Sequence, residues 1–347
     1  MKALLLTEPR RLEVVEVDEP EIGRDDVLVQ VEACGICGSD LHGYDGSSGR
    51  RIPPLIMGHE AAGVVIAAGA EVTDLTPGTR VAMDSMVSCG RCWFCRRGDA
   101  HLCDHRRVIG VSCGDYRRHG AFAEQISVPR RIVYPLPDSL PMEHAAMIEA
   151  VSVAVHAARI TPIRLGDTAV VVGAGMIGLL VVQAVRAAGA AQVIAIDLND
   201  RRLKTAQTLG ADHVIRGDSD DVAGEVAART GGRGADIVFE VVGASTTVHT
   251  AIACARKGAT VTLVGNVSPS VDLPLQSVVT REVRLQGTCG CNGEIPECID
   301  LIHRGVIQVA PLITAQIGLA DGPAWFEKLY AGAPEQMKVL IRPNQPS

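Results

Sequence analysis

The feature that most restricts the fold is an apolar run at residues 168–172 that passes straight into Gly173-Ala174-Gly175-Met176-Ile177-Gly178, then into an Ala- and Leu-rich stretch closed by Gly189. A strand, a glycine turn and a helix in that order make one half of a βαβ unit, whose helix returns the chain to a neighbouring parallel strand. Gly173 suits the tight turn, Gly175 lets the backbone come close to a pyrophosphate, and Gly178 lets the helix pack on the strand. Met176 and Ile177 then lie in the first helical turn, where free N–H groups and a partial positive charge face an anion. Nineteen residues past Gly178, at the end of the next apolar run, Asp197 can accept both ribose hydroxyls of an adenosine. That placement favours NAD over NADP, because a carboxylate repels a 2′-phosphate. Arg201 and Arg202 could tolerate such a phosphate; otherwise they read as a solvated helix start.

The same pattern continues around this unit. Strands are predicted at 168–172, 192–196, 213–215, 235–241, 260–264 and 283–286, with helices that include 176–188 and 201–209, ended by Gly189 and Gly210. Strand and helix in alternation predict a doubly wound parallel sheet, a Rossmann domain in an α/β chain. Residues 1–150 differ. Short alternating segments such as 27–32 and 63–66, broken by Pro53-Pro54, Pro77-Gly78 and Pro135, read as a β-rich domain with long loops. Residues 288–347 hold a predicted helix near 295–304 and a strand at 338–341, and are expected to pack back on the first domain. Three segments follow, 1–150, 151–287 and 288–347, which suits a chain of 347 residues and about two domains.

Charge narrows the partners. Lys and Arg number 33 against 40 Asp and Glu, for a formal charge of −7, which argues against nucleic acid and anionic membranes. Apolar runs fall far short of the roughly 20 residues that a membrane span needs. The first twenty residues, with Arg10, Arg11, Glu13, Glu16, Asp18 and Glu19, lack the apolar core of a signal peptide, so a cytoplasmic location is expected. In a reducing compartment, clustered cysteines serve as metal ligands or redox groups more often than as disulfides.

Of the eleven cysteines, Cys89, Cys92, Cys95 and Cys103 fall within fifteen residues, in a stretch with Gly90 and Gly98. Four thiolates fill a tetrahedral zinc shell and leave no vertex open, so this loop is expected to hold a structural ion. A redox pair within one of the Cys-x-x-Cys steps is the competing reading. Two further runs are Cys34-Gly35-Ile36-Cys37-Gly38-Ser39-Asp40-Leu41-His42 and Gly58-His59-Glu60-Ala61-Ala62-Gly63. A thiolate, an imidazole and nearby carboxylates are what an open zinc site needs. Taken singly they are ambiguous, since Cys34 and Cys37 could be a redox pair, His59 a core residue and Glu60 part of an ion pair.

Together, in this order and over essentially the whole chain, these motifs resemble the zinc-dependent medium-chain alcohol dehydrogenases, and within them the polyol branch of sorbitol (L-iditol) and galactitol-phosphate dehydrogenases. The resemblance implies a GroES-like catalytic domain interrupted by the Rossmann domain and completed by the C-terminal segment. It implies that Cys37 and His59 bind a catalytic zinc, that Asp40 orients His59, and that Cys34 is structural. Glu149, in a stretch where the polyol branch places a glutamate before a proline that is here Ala150, is the implied third protein ligand, with Glu60 or water as the alternative. His156, further along the same stretch, is expected to be a packing residue. Two zinc ions per chain are implied, one at each site.

By the same resemblance, zinc polarises a secondary alcohol, its proton leaves through Ser39, the nicotinamide ribose and His42, and hydride passes to NAD to give a ketone. The substrate is a small-molecule polyol or sugar derivative. A threonine 3-dehydrogenase-like or butanediol-type dehydrogenase is the alternative on this scaffold, and a non-catalytic NAD-binding homologue is the alternative of another class. The branch commonly holds substrate hydroxyls with an arginine shortly after the last Rossmann strand; residues 287–293 contain none, which leaves Asn292, Arg117 or Arg118 as candidate anchors. Family members are dimers or tetramers that continue the Rossmann sheet across subunits, and residues 259–264 and 269–274 are expected to take part.

Overall fold

The computed structural model describes residues 1–345. They form two compact units, one of Met1–Glu149 with Ile295–Arg304 and the chain from Val309 onward, the other of Ala150–Glu294 with Gly305–Gln308.

In the first unit a seven-stranded sheet runs in the order Val133–Pro135, Arg80–Met83, Glu60–Ala68, Asp26–Gly35, Lys338–Ile341 and Ile313–Ile317, with Gln125–Pro129 also paired to Asp26–Gly35. Strand Asp26–Gly35 is the hub. Its apolar residues Val27, Val29, Val31 and Ala33 are fully buried, as the period of two requires of an inward face. Its far end is flanked on both sides: Gly35 pairs with Glu60, and Cys34 and Gly35 pair with Ile341 and Leu340. Three strand ends from distant parts of the chain therefore converge at Gly35, Glu60 and Lys338. A core of Leu4, Leu6, Met57, Met83, Phe122 and Phe326, all at 1% exposure or less, lies beneath. Each such side chain is worth roughly 1.5–3 kcal/mol when fully buried.

The second unit is a six-stranded parallel sheet in the order His213–Arg216, Gln192–Asp197, Thr168–Val172, Ala235–Glu240, Ala255–Leu263 and Arg284–Gly287. All its pairings are parallel. The chain order reverses between Thr168–Val172 and Ala235–Glu240, the switch point at which open α/β sheets bind ligands. Near-continuous Val and Ile runs suit strands covered on both faces.

Two differences from the sequence reading have physical causes. The fifth strand begins at Ala255, five residues before the predicted 260, because a register shift between Ala235 and Ile237 lets it start early. It is also interior, paired on both sides, so residues 259–264 cannot extend the sheet into another subunit; the edges are His213–Arg216 and, on the side nearer this strand, Arg284–Gly287. Residues 288–294 belong with the second unit, where the buried Glu294 carboxylate takes hydrogen bonds from His156 and Arg159.

Candidate active site

The site in the first unit is built at the converging strand ends. From Gly35 the chain turns through Ile36, whose N–H donates to Val339 O at 2.9 Å, into Cys37 and the helix Gly38–Tyr44. Asp40 in its first turn accepts the Cys37 N–H on Oδ2 at 3.2 Å, which holds the thiol at the helix start. His59 and Glu60 lead into the neighbouring strand. The ligand atoms of Cys37, His59 and Glu60 all lie within 4.8 Å of one another, with His59 and Glu60 buried.

This donor set fits a metal ion. His59 Nδ1 is buried and makes no full hydrogen bond; its nearest partner, Asp40 Oδ1, is 3.4 Å away. Burial disfavours the imidazolium, yet the charge of Asp40 and the closeness of the Asp40 and Cys37 side chains outweigh it and raise the His59 pKa well above its ordinary value. Surroundings that pull a proton onto a buried imidazole favour positive charge at this point, and a divalent cation supplies it. Cys34, by contrast, is fully buried within its strand and its thiol is pushed up, first by burial and then by Asp40 and Glu60, which makes it a packing residue.

Glu149 stands apart from that cluster. Placed in the first turn of helix Ile148–Ile160, it accepts the Ser85 hydroxyl at 2.8 Å. Burial, with the charges of Glu60 and Asp84, outweighs the lowering by His59 and Ser85 and raises its carboxyl to about 7. Glu60 is a carboxylate within 4.8 Å of the Cys37 and His59 ligand atoms, while Glu149 interacts electrostatically with His59 and Glu60.

Two residues of the site escaped sequence reasoning. Lys338 is 2% exposed, and its ammonium donates to Glu60 Oε2 at 2.5 Å and to Ile36 O at 3.1 Å. Only the absence of a side chain at Gly35 leaves room for that carboxylate, since a Cβ there would overlap Glu60 Oε2. Arg51 is similarly buried and pairs with Asp40 Oδ1 at 3.0 Å. Lys338 is remote from the motifs in sequence, and Arg51 lies between two of them but in neither; the one available signal was a lysine opening a strand of otherwise apolar residues, Lys338–Ile341.

Ser39 and His42 are three residues apart on the helix Gly38–Tyr44 and both are exposed. Arg117 and Arg118 are elsewhere in this unit. They line a cavity of about 620 Å³ with Met1, Val17, Asp26 and Gln125, and none of Cys37, His59, Glu60 or Glu149 reaches it.

The four-cysteine loop closes on itself. The sulfurs of Cys89, Cys92, Cys95 and Cys103 lie within 4.8 Å of one another, with Gly90 and Gly98 at positive φ turning the chain between them. Backbone N–H groups point at the sulfurs: Cys89 N to Cys103 Sγ at 3.2 Å, Cys92 N to Cys89 Sγ at 3.3 Å. The Arg91 N–H and further N–H donors bring the Cys89 thiol down to about 6, as a thiolate ligand requires, while burial pushes Cys103 up to about 12.

In the second unit the glycine turn has the geometry of a phosphate cradle. Gly173 adopts φ +99° and has Val242 against the position of a Cβ, and a Cβ on Gly178 would overlap Gly173 O. In front of Gly175 there is open space, at the start of helix Met176–Ala187, where a pyrophosphate fits. Asp197 accepts Ala174 N on Oδ2 at 2.7 Å and Asn199 N on Oδ1 at 2.8 Å, which sets its carboxylate beside the turn. Arg202 does not read as solvated: its guanidinium is 3.9 Å from Asp197 Oδ2, and the helix start is capped by Asn199, whose side chain accepts Arg201 N and Arg202 N. His156 is bound through Nδ1 to Glu294 Oε1 at 2.8 Å.

Comparison with known proteins agrees with this geometry. Residues 23–138 match the alcohol dehydrogenase GroES-like domain and residues 177–304 the zinc-binding dehydrogenase domain. Sorbitol dehydrogenase of Bacillus subtilis is 34% identical over 99% of this chain and 98% of its own. L-threonine 3-dehydrogenase of Symbiobacterium thermophilum is 38% identical over 95% of this chain and 93% of its own. Among solved structures, a zinc-binding dehydrogenase of Sinorhizobium meliloti bound to NADP superposes with a TM-score of 0.91 at 34% identity, over 99% of each chain.

Proposed function

The chain belongs to the zinc-dependent medium-chain alcohol dehydrogenases, in their polyol branch, and from that premise we propose that it oxidises a secondary alcohol of a polyol or sugar derivative to a ketone with NAD as the hydride acceptor. The observation that carries the reading is the cluster of Cys37, His59 and Glu60, with Glu149 placed to sense it. When bound, zinc supplies a Lewis acid that lowers the pKa of an alcohol hydroxyl, and the nicotinamide supplies the hydride acceptor. Cys37, His59 and Glu60 would hold the metal, with Glu149 at its periphery. Cys89, Cys92, Cys95 and Cys103 would hold a second, structural zinc.

The other side chains orient, balance charge and move the proton. Asp40 fixes the ring of His59. Lys338 offsets the charge of Glu60, so that the Cys37 thiolate and Glu149 carboxylate balance a divalent ion. Ser39 takes the alcohol proton, and exposed His42, one helical turn on, passes a proton to solvent. Gly173, Gly175, Met176, Ile177 and Gly178 would cradle the pyrophosphate. Asp197 would accept the adenosine ribose hydroxyls and select NAD, with Arg202 limiting how strongly it repels NADP. The NADP-bound relative makes that selectivity a point for measurement.

A threonine or diol dehydrogenase is the second reading, favoured by the absence of arginine in residues 287–293 and by the 38% identity to L-threonine 3-dehydrogenase. Support for a homo-oligomer comes from the free edge strand Arg284–Gly287 and from the exposed Val267, Leu273, Leu275 and Val279 that precede it. Among the described residues none of the eleven cysteines is in a disulfide, as suits a reducing, cytoplasmic location. Among the described residues no helix is long and apolar enough to cross a membrane. The deciding experiment assays zinc-replete protein against polyols, sugar acids, diols and L-threonine, with NAD and NADP in parallel. Reduction of NAD by a polyol or sugar derivative is expected; if no alcohol is oxidised, the enzyme reading fails.

A further inference from the structure

We infer that Arg51 is a positioning residue of the reaction, whose guanidinium locks the Ser39 hydroxyl and the Asp40 carboxylate into one unit. The inference rests on the proton route proposed above and extends it to a residue outside every motif. Arg51 comes from the loop after the helix Gly38–Tyr44, and its side chain is 5% exposed, a rare state for arginine that calls for paired N–H groups. Nη2 donates to Asp40 Oδ1 at 3.0 Å and to Ser39 Oγ at 3.3 Å, Nε to Asp40 Oδ1 at 3.3 Å, and Nη1 to Arg50 O at 3.1 Å.

The route of this side chain is prepared on two sides. A Cβ at Gly43 would overlap Arg51 Cγ, so the helix is bare where the arginine crosses it. The backbone on either side is pinned to residue 112, with Ile52 N donating to Ser112 O at 3.2 Å and Ser112 N to Arg50 O at 3.3 Å. A purely structural partner for Asp40 would need the carboxylate contacts alone. Beside the local bond to Arg50 O, a further contact goes to Ser39, an exposed residue whose hydroxyl water could satisfy.

That contact determines what Ser39 can do. One lone pair of Oγ is taken by the guanidinium N–H, so the hydroxyl proton must point elsewhere as a donor, and a second lone pair stays open. In the transfer, the alcohol O–H breaks as a new O–H forms on Ser39 Oγ, while the original Ser39 proton leaves toward solvent. Arg51 takes part in the transfer only as a hydrogen-bond donor, since a guanidinium has no acceptor to offer. Asp40 Oδ1 is shared between Arg51 and His59 Nδ1, so the same guanidinium also sets how closely the carboxylate approaches the imidazole.

The test compares Arg51→Met, Ser39→Ala and the double variant by zinc content, kcat, KM, and solvent and primary deuterium isotope effects. Arg51→Met is expected to keep wild-type zinc and a KM within about threefold, and to lose about tenfold or more in kcat. Its solvent isotope effect should rise and its primary effect fall, because proton transfer becomes limiting. In the Ser39→Ala background, adding Arg51→Met should cost no more than about twofold, since the two residues act as one unit. Unchanged isotope effects, multiplicative losses in the double variant, or loss of zinc from Arg51→Met would each overturn the proposal. If Arg51→Met does not fold, Gly43→Ala displaces the same side chain with its charge retained and is read by the same criteria. A wild-type protein inactive on every alcohol fails the functional reading together with this one; an active wild type with a normal Arg51→Met fails this one alone.

Discussion

Lys338 Nζ lies 2.5 Å from Glu60 Oε2, and both side chains are at most 2% exposed. Their residues are 278 positions apart and meet because strands Glu60–Ala68 and Lys338–Ile341 flank the same strand, Asp26–Gly35. Removing one partner strands a charge in the interior, so Lys338→Met should lose about 3–5 kcal/mol of stability. Restoring neutrality with Glu60→Gln in the same chain should recover a large part of that loss. Urea unfolding of the single and double variants measures it, and equal stability of Lys338→Met and wild type would refute the charge-pair account.

Cys37→Ser and His59→Ala should abolish turnover and lower bound zinc by about one ion per chain while NAD binding survives, because the cofactor motif is built in the other unit. Metal analysis and a fluorescence titration with NADH separate the two effects. A folded variant that lost both together would count against the assignment.

The four-cysteine loop should behave as a stability element. Cys92→Ser is expected to remove the other zinc, lower the melting temperature by several degrees and leave the residual kcat per folded molecule within about threefold. A variant that melts like wild type after losing this ion would show that the loop does not need its metal.

Asp197→Ala should weaken NAD binding by about 10- to 100-fold, the cost of leaving ribose hydroxyls unpaired, and improve NADP relative to NAD. Titration with both cofactors is the check. An unchanged preference would mean that Arg202 and its surroundings, not Asp197, set the selectivity.

Glu294 provides a pH signature. Burial pushes its carboxyl up, but the His156 hydrogen bond, the Asn292 N–H, the charge of His156 and a hydrogen bond from Arg159 prevail and hold it at about 2, against an ordinary 4.5. A depressed pKa adds stability that is complete above the ordinary value and is lost as pH falls from about 4.5 toward 2. Glu294→Gln should therefore be less stable than wild type by about 2 kcal/mol at pH 7, allowing for solvent screening, with the gap narrowing at pH 3. Denaturant unfolding at pH 7, 4 and 3 tests this; a constant gap would point to packing in place of charge.

How far the sequence reaches depends on the range of the interaction. The glycine turn at 173–178, the spacing to Asp197, the alternation of strands and helices and the four-cysteine loop were legible because each is settled within some thirty residues by backbone geometry and ligand spacing. Cys37, His59 and Asp40 were legible as a group only through resemblance, since neither helix nor strand periodicity brings them together. What tertiary structure alone shows is which side chains surround each carboxylate near the thiol and imidazole. Sheet register sets Glu60 opposite Gly35 and brings Lys338 to pin it, whereas Glu149 turns to Ser85. Arg51 is likewise a residue that no motif marks, brought to Asp40 across a bare glycine, Gly43. Such contacts depend on strand pairing, loop packing and burial that no local periodicity encodes, and a buried charge declares its partner only once water has been excluded around both.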